Sequence, residues 1–440
     1  MDGNDIIRIL HDWNFWREDL RTGVPRPRYL DNLQSLMSTN QVITITGPRR
    51  AGKSFIMRQM EMRMIDEGLD RRNILHVNLE DPRFTETGVL LLEKIYAAYR
   101  EYISPSGTPV LFLDEIQGIQ GFEKWVRMMH ELAKAKIVIS GSNATLLSRE
   151  LGTLLTGRHL DLQVFPLSLG EFLSFNNVVL DGQDSVAGKE SELRGILRSY
   201  IEYGSFPEVV VSDRKKEILL GYFEDVIFRD ILRRFNVRKE GELRAVARHC
   251  LSNISALLTF KMLGRSLNLS ATTAASFAGY LEQAYLIFSL KRFSFKVKEQ
   301  EQSPRKMYAA DTGLANAVGF RFSENLGRLA ENIVFVALKR TQALAPGMEL
   351  YYWKDTHHRE VDFVVKNGRA VERLIQVCWD IKDEKVRNRE LRALSAAMNE
   401  LDIPSATIVT ESAEGEEALH DRRVRFVPLW KWLIAEERRI

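Results

Sequence analysis

Residues 42–55 read VITITGPRRAGKSF, and the reading of this stretch decides the fold. VITIT (42–46) is a β-branched run that ends at Gly47, so a strand is expected to stop there. GPRRAGKS (47–54) fits G-x-x-x-x-G-K-[ST]. From 51 to 68, AGKSFIMRQMEMRMIDEG has helical periodicity and ends on a glycine stop. Strand, glycine loop and helix in that order form a phosphate cradle. Gly47 and Gly52 let backbone N–H groups turn inward around phosphate oxygens, and the helix N-terminus adds positive potential. Lys53 reaches the β- and γ-phosphates, and the Ser54 hydroxyl is a ligand for Mg²⁺. Gly47, Pro48, Arg49, Arg50, Ala51, Gly52, Lys53, Ser54 and Phe55 are therefore the candidate nucleotide-binding residues.

Working outward, strands and helices alternate. ILHVNLE (74–80), VLFLDE (110–115), IVISGS (137–142) and LDLQVFPL (160–167) read as four more strands, and EKWVRMMHELAK (123–134) as an amphipathic helix. Continuous apolar strands between helices indicate a parallel sheet covered on both faces. VLFLDE ends in two acids at the carboxyl edge of that sheet, where ligands bind in open α/β folds. Asp114 is expected to hold Mg²⁺, directly or through water, and Glu115 to act as general base on the attacking water. The strand ending in Ser142–Asn143 brings a polar side chain beside the γ-phosphate, or merely caps a turn. Arg158, in LTGR before the fifth strand, is either a finger reaching a neighbouring subunit's γ-phosphate or a surface arginine paired with an acid.

The whole chain has 440 residues, 62 Lys+Arg against 59 Asp+Glu, and 45% apolar residues, enough for two to four domains with cores. Two cysteines, Cys250 and Cys378, exclude a disulfide scaffold and a four-Cys zinc site and suit a reducing cytosol. The N-terminus has no apolar signal-peptide core, and the longest apolar runs, such as IVFVAL (333–338), are far below the roughly 20 residues that span a bilayer. A cytoplasmic location with no membrane span is expected. A net charge of +3 leaves nucleic-acid binding to local clustering.

Residues 1–40 read as a helical lead-in, with Trp13 and Trp16 three apart on one helix face and GVPRPR (23–28) as the break. Residues 169–245 are helical, interrupted by an exposed loop at LDGQDSVAGKES (180–191). Residues 246–306 carry three short helical patterns and then a β-rich stretch, LIFSLKRFSFKVK (286–298), and 307–440 return to mixed α/β.

GPRRAGKS, NLEDPRF (78–84), FLDEIQ (112–117), GSNATLLS (141–148), LTGR (155–158), FPLSLGEF (165–172), GSFPEVV (204–210), KMYAADTGL (306–314), LGRLAENIVFVALKR (326–340) and EVDFVV (360–365) together resemble a family of AAA-type P-loop ATPases of archaea and bacteria. The resemblance covers about 40–440. It implies an α/β chain with a P-loop NTPase core of the additional-strand, AAA type (41–168), a helical lid (169–245), a winged helix (246–306) and a C-terminal restriction-endonuclease-like α/β domain (307–440). It further implies that the Asp114 strand is not adjacent to the phosphate-loop strand, that Ser142 or Asn143 is a sensor, and that Arg158 is the finger.

In 246–306, helix, turn at LNLS (267–270), helix and alternating hairpin follow the winged-helix order, with Ser270 as N-cap. Residues 259–306 hold eight Lys+Arg and three acids, so Lys291, Arg292, Lys296 and Lys298 are candidate DNA contacts. The helix ATTAASFAGY has few side chains that read base edges, so DNA binding is expected to be weakly sequence-specific; packing against a protein is the other use of such a module. An endonuclease-like fold needs acids and a lysine around Mg²⁺. Here Glu331 and Asp362 fit, but Gln376 stands at the Glu place and Cys378 at the Lys place, so the domain is expected to be catalytically inactive, with Glu331 and Asp362 as fold-stabilising polar residues.

The expectation is an Mg²⁺-dependent ATPase whose ATP hydrolysis is coupled to homo-oligomeric assembly, a ring being one form, and to DNA engagement. The alternatives are a nucleotide-dependent switch that holds a protein partner, or a nuclease with an atypical C-terminal site.

Overall fold

Strand β1 (Val42–Thr46) is buried at every residue, as a β-branched run between two covered faces must be. In the computed structural model, which describes residues 1–142, 158–178, 190–320, 325–419 and 421–439, it lies inside a five-stranded sheet. The other strands are β2 (Ile74–Asn78), β3 (Val110–Asp114), β4 (Lys136–Gly141) and β5 (His159–Gln163), in the order β2-β3-β4-β1-β5 and all parallel. The chain divides into two compact units, Met1–Val164 and Phe165–Ile440.

In the first unit, helices α1 (Gly3–His11), α4 (Val89–Ala98) and α5 (Phe122–Glu131) cover one face, burying Ile6, Ile95 and Trp125 against Leu75, Leu111 and Ile139. On the other face, α2 (Pro27–Met37) and α3 (Lys53–Asp66) bury Leu33, Ile56 and Met60 against Ile43, Phe112 and Val138. Alternate residues of one strand thus feed two cores. Gly68 is left-handed two residues beyond α3, the stop read from the sequence. Trp13 and Trp16 do not share a helix face: α1 ends at His11, and both lie in the turns beyond. Each indole N–H is bonded at 2.8 Å, Trp13 to Asp81 and Trp16 to the Ile74 carbonyl. Those partners outweigh a fourth helical turn.

The second unit begins with helices α6 (Leu169–Phe175), α7 (Glu190–Tyr203) and α8 (Lys215–Asp225). Most of the expected 180–191 loop lies outside the described residues, which resume in α7 at Glu190. Next come α9 (Glu240–Ser252), β6 (Ala256–Leu258), α10 (Phe260–Ser266), α11 (Ala271–Gln283), β7 (Ile287–Leu290), α12 (Val297–Gln302) and β8 (Arg305–Ala309). The three strands form an antiparallel sheet in the order β6-β8-β7. Ser270 caps α11, accepting from Thr273 N–H at 3.0 Å. The β-rich reading of 286–298 holds for a strand to Leu290 and a bridge from Arg292 to Tyr352; Val297 then opens a helix, whose turn is started by Ser294 accepting from Lys296 N–H.

GSFPEVV and KMYAADTGL meet in space. Asp311 caps α13 (Thr312–Val318) and accepts from Ser205 N–H at 2.7 Å. Gly204 has φ +72, and a Cβ there would stand 1.9 Å from the Asp311 carboxylate, so glycine is required. Burial raises the Asp311 carboxyl to about 6. Beyond, α14 (Leu326–Leu344) is buried along much of its length. A six-stranded mixed sheet follows: an antiparallel meander of β9 (Met348–Lys354), β10 (Glu360–Asn367) and β11 (Ala370–Val377), then a crossover through α15 (Glu384–Leu401) to parallel β12 (Ser405–Thr410) and β14 (Arg422–Pro428), with β13 (Gly415–Leu419) at the edge. Helix α16 (Leu429–Glu437) closes the chain.

Candidate nucleotide site

The glycine loop leaves the carboxyl end of β1 at Gly47, which has φ +137. A Cβ there would lie 2.0 Å from the Val164 carbonyl, so this position tolerates no side chain. Arg50 and Gly52 are also left-handed, and Gly52 is the N-cap of α3. These signs turn the loop tightly into the helix N-terminus, the geometry in which backbone N–H groups converge on an anion. Lys53, 4% exposed, donates to the Gly47 and Pro48 carbonyls, each at 3.1 Å. Its ammonium is thus held against the loop. Arg49 is paired with Glu80 at 3.1 Å, and Ala51 is buried with its carbonyl accepting from Arg26 Nη1 at 2.8 Å. Arg26 comes from the GVPRPR segment, whose role sequence reading limited to breaking a helix. Ser54 is half-buried and Phe55 exposed.

Asp114 ends β3, two strands from β1, with β4 between them. The additional-strand order implied by the resemblance is therefore the order observed. Asp114 is buried, and its Oδ1 accepts from the Ser140 hydroxyl, which also accepts from Glu115 N–H at 3.1 Å. Sequence reading missed Ser140; its signal was a polar residue inside the apolar strand IVISGS. Glu115 is left-handed at φ 55, an uncommon state for a non-glycine residue that costs about 1–3 kcal/mol. Burial raises its pKa, against the pull of Lys53, and its carboxylate accepts from Gln117 Nε2. Loop, lysine and acid pair occupy one edge of the sheet, and their donor set suits a nucleoside triphosphate with Mg²⁺: backbone N–H groups and an ammonium for the phosphates, a hydroxyl and a carboxylate for the metal.

Asn143 lies outside the described residues, as do 144–148 and 155–157 of the matched pieces. Arg158 is described: its carbonyl accepts from Val42 N–H, so it stands at the start of the strands, opposite the phosphate loop. It is 44% exposed and paired with Glu131.

In the second unit the candidate DNA contacts are largely engaged within the chain. Lys291 pairs with Glu301 at 2.5 Å and Lys296 with Glu299 at 3.2 Å, and Arg292 Nη2 donates to the Lys354 carbonyl at 2.5 Å. Lys298 has no acid partner among the described residues. Lys306, counted in the basic stretch, is not a surface cation: it is 2% exposed, and its ammonium bonds Glu331 at 3.0 Å, Asp362 at 2.7 Å and Glu360 at 2.7 Å. Lys306 and Tyr308, on one face of β8, both reach Glu331 Oε1. Burial works against the charged lysine, but Asp362 and Glu331 outweigh it and hold its pKa well above the ordinary value. Gln376 bridges the cluster, accepting from Asp362 N–H at 3.0 Å and donating to Glu390 at 2.7 Å. Cys378 is buried, its thiol pushed up to about 12 by burial. Among the described residues, no helix is long and apolar enough to cross a membrane.

Residues 39–173 match the family described as an AAA domain, and residues 194–325 and 326–432 match two domains of unknown function, DUF8612 and DUF4143. The chain is 32% identical over 408 residues to an uncharacterized protein of Methanocaldococcus jannaschii, covering 89% of this chain and 88% of that one. It is 31% identical over 369 residues to an uncharacterized protein of Haemophilus influenzae, covering 82% and 88%. Among solved structures, the Walker-type ATPase paby2304 of Pyrococcus abyssi is similar at 14% identity, with a TM-score of 0.45 over 69% of this chain and 97% of that one. The chain belongs to one family with these Methanocaldococcus and Haemophilus proteins, and its residues 39–173 form an AAA domain.

Proposed function

We propose that the protein binds ATP with Mg²⁺ in the Gly47–Phe55 loop and hydrolyses it. The observation that carries this reading is the convergence of Lys53, Asp114 and Glu115 on the sheet edge where the glycine loop opens. Backbone N–H groups of the loop orient the β- and γ-phosphates, and Lys53 neutralises them. Ser54 and Asp114 would hold Mg²⁺, which screens charge between those phosphates when bound. Glu115 takes the proton of the attacking water, and its raised pKa makes it a stronger acceptor than an exposed glutamate. Ser140 keeps Asp114 and the Glu115 backbone in register. Arg158 lies roughly 16 Å of strand away from its own loop, about 3.3 Å for each of the five residues of β1. That span is beyond the reach of its own side chain and supports a role in trans, with Glu131 released.

The order α9-β6-α10-α11-β7-α12-β8, with β7 and β8 paired antiparallel, supports the winged-helix reading of 246–306, and the mixed sheet with its β11-α15-β12 crossover is compatible with an endonuclease-like frame. The basic stretch 291–298, the wing in this reading, has two uses. Lys298, with Lys296 and Lys291 freed from their exposed pairs, supports weak DNA binding through phosphates. The neutralised lysines beside Phe295 and Val297, 78% and 71% exposed, favour a protein partner held according to nucleotide state. Two free, buried cysteines fit a reducing cytoplasm.

The test is the ATP hydrolysis rate with and without DNA, together with mass by light scattering with and without ATP. Turnover that Lys53→Ala abolishes supports the ATPase. Stimulation by DNA selects the first use of the wing, and its absence selects the second. Hydrolysis unaffected by Lys53→Ala overturns the site.

A further inference from the structure

A cavity of about 640 Å³ opens in the second unit above the Lys306 cluster, and the ATPase reading makes no use of it. Its size is that of a small-ligand pocket. The floor holds four acids, yet each is already matched from within the chain. Lys306 gives its three ammonium protons to Glu331, Glu360 and Asp362. Asp362 Oδ2 accepts from Val377 N–H at 2.9 Å, and Glu360 Oε2 from Lys354 at 2.9 Å. Glu390 accepts from Gln376 at 2.7 Å and from Arg389 at 2.5 Å. A divalent cation would have to displace a buried ammonium that three carboxylates hold. Among the described residues, no group of His, Cys, Asp and Glu side chains is arranged to bind a metal.

The rim has the opposite character. Arg328 and Arg392 line the cavity with exposed side chains, and no carboxylate among the described residues pairs with either. Arg392 Nε donates only to the Asn388 carbonyl of its own helix, at 3.0 Å. His357 and His358, both exposed, add two more nitrogen donors to the same mouth. Acids tied by hydrogen bonds to Lys306, Lys354 and Arg389 below and unmatched guanidinium groups above form a seat for an anion, and planar guanidinium groups bind phosphate oxygens in pairs.

We propose that this cavity binds a phosphate ester without a metal ion, Arg328 and Arg392 receiving the phosphate and Lys306 standing where a divalent cation would otherwise neutralise the acids. The ester belongs either to a nucleic-acid strand or to a free nucleotide. No bond is made or broken. The proposal stands apart from hydrolysis at the Gly47–Phe55 loop.

The experiment uses the full chain in EDTA. Two probes are titrated: a fluorescent single-stranded DNA of about 16 nucleotides, ample for one backbone-tracking groove, and thymidine 5′-monophosphate. Arg328→Glu with Arg392→Glu is expected to weaken one or both by about tenfold or more, the scale of losing a charge-assisted contact, and to leave ATP turnover unchanged. Loss for DNA alone assigns the strand; loss for both assigns the nucleotide. Should the double variant fail to fold, Arg392→Gln, on an exposed helix face, is expected to weaken binding by about threefold, part of one such contact. Unchanged affinity for both probes in either variant overturns the proposal, as does binding that requires Mg²⁺. Lys296→Glu with Lys298→Glu separates the wing: it lowers DNA affinity if the wing contacts DNA, but it leaves thymidine monophosphate binding intact.

Discussion

The Ser140 hydroxyl, on β4, donates to Oδ1 of Asp114 on the neighbouring β3 and accepts from the N–H of Glu115, so one buried side chain fixes the two acids at the sheet edge. Removing it frees the Asp114 carboxylate to rotate and leaves the Glu115 N–H without its partner. A hydrogen bond to a charged group contributes about 1.5–3 kcal/mol. Ser140→Ala is therefore expected to cut turnover about tenfold or more, most strongly at low Mg²⁺, while the fold persists. Turnover measured against Mg²⁺ concentration checks it, and a curve identical to wild type removes Ser140 from the site.

Gly47→Ala brings a methyl group to within 2.0 Å of the Val164 carbonyl at a φ of +137. Both terms strain the loop, at about 1–3 kcal/mol or more. The expected result is a lower Tm and loss of ATP binding, read by calorimetry and by a fluorescent nucleotide. Normal binding would mean that the loop reshapes at little cost.

Glu115→Gln is expected to bind ATP and not turn it over, since the amide takes no proton. The same residue sets a pH dependence. A base must be ionised, and burial raises this carboxyl above the ordinary 4.5. Wild-type kcat/KM is therefore expected to fall on the acid side at a pH above that value, and a limb at or below it would assign the proton to another group.

Arg158→Ala is expected to bind ATP normally and lose about 10³-fold in turnover. Mixed with Lys53→Ala it should regain activity, because each mixed interface joins an intact arginine to an intact loop. Co-assembly without rescue sinks the role in trans and leaves Arg158 as the partner of Glu131.

Burial, reinforced by Asp362, raises the Glu331 carboxyl from 4.5 to about 8. The folded state then holds a proton that the unfolded chain releases, so this group's contribution is present below pH 4.5 and is lost as pH rises through 8. Glu331→Gln lacks that loss. Its Tm relative to wild type is expected to climb between pH 5 and pH 9, and a constant difference across that range would contradict the raised pKa.

The first unit was legible because its signals are local. A β-branched run, a glycine pair and an acid pair each specify backbone or chemistry within a few residues, and parallel strands buried on both faces announce themselves by unbroken apolarity. Ser140 was missed because its significance depends on which strand lies beside Asp114. Trp13 and Trp16 were assigned to a helix by spacing, but their N–H partners lie on and just beyond β2, some 60 positions away in sequence.

The sequence alone determined the phosphate loop and the order of its strands and helices. Only the tertiary structure decided where charge goes. Lys306 counts as one more basic residue in a basic stretch, but β8 sets it in the middle of its sheet with its ammonium among Glu331, Glu360 and Asp362. Composition cannot reveal that, because a lysine's role is fixed by which carboxylates long-range packing brings within hydrogen-bond distance, and those acids lie 25 to 56 residues away.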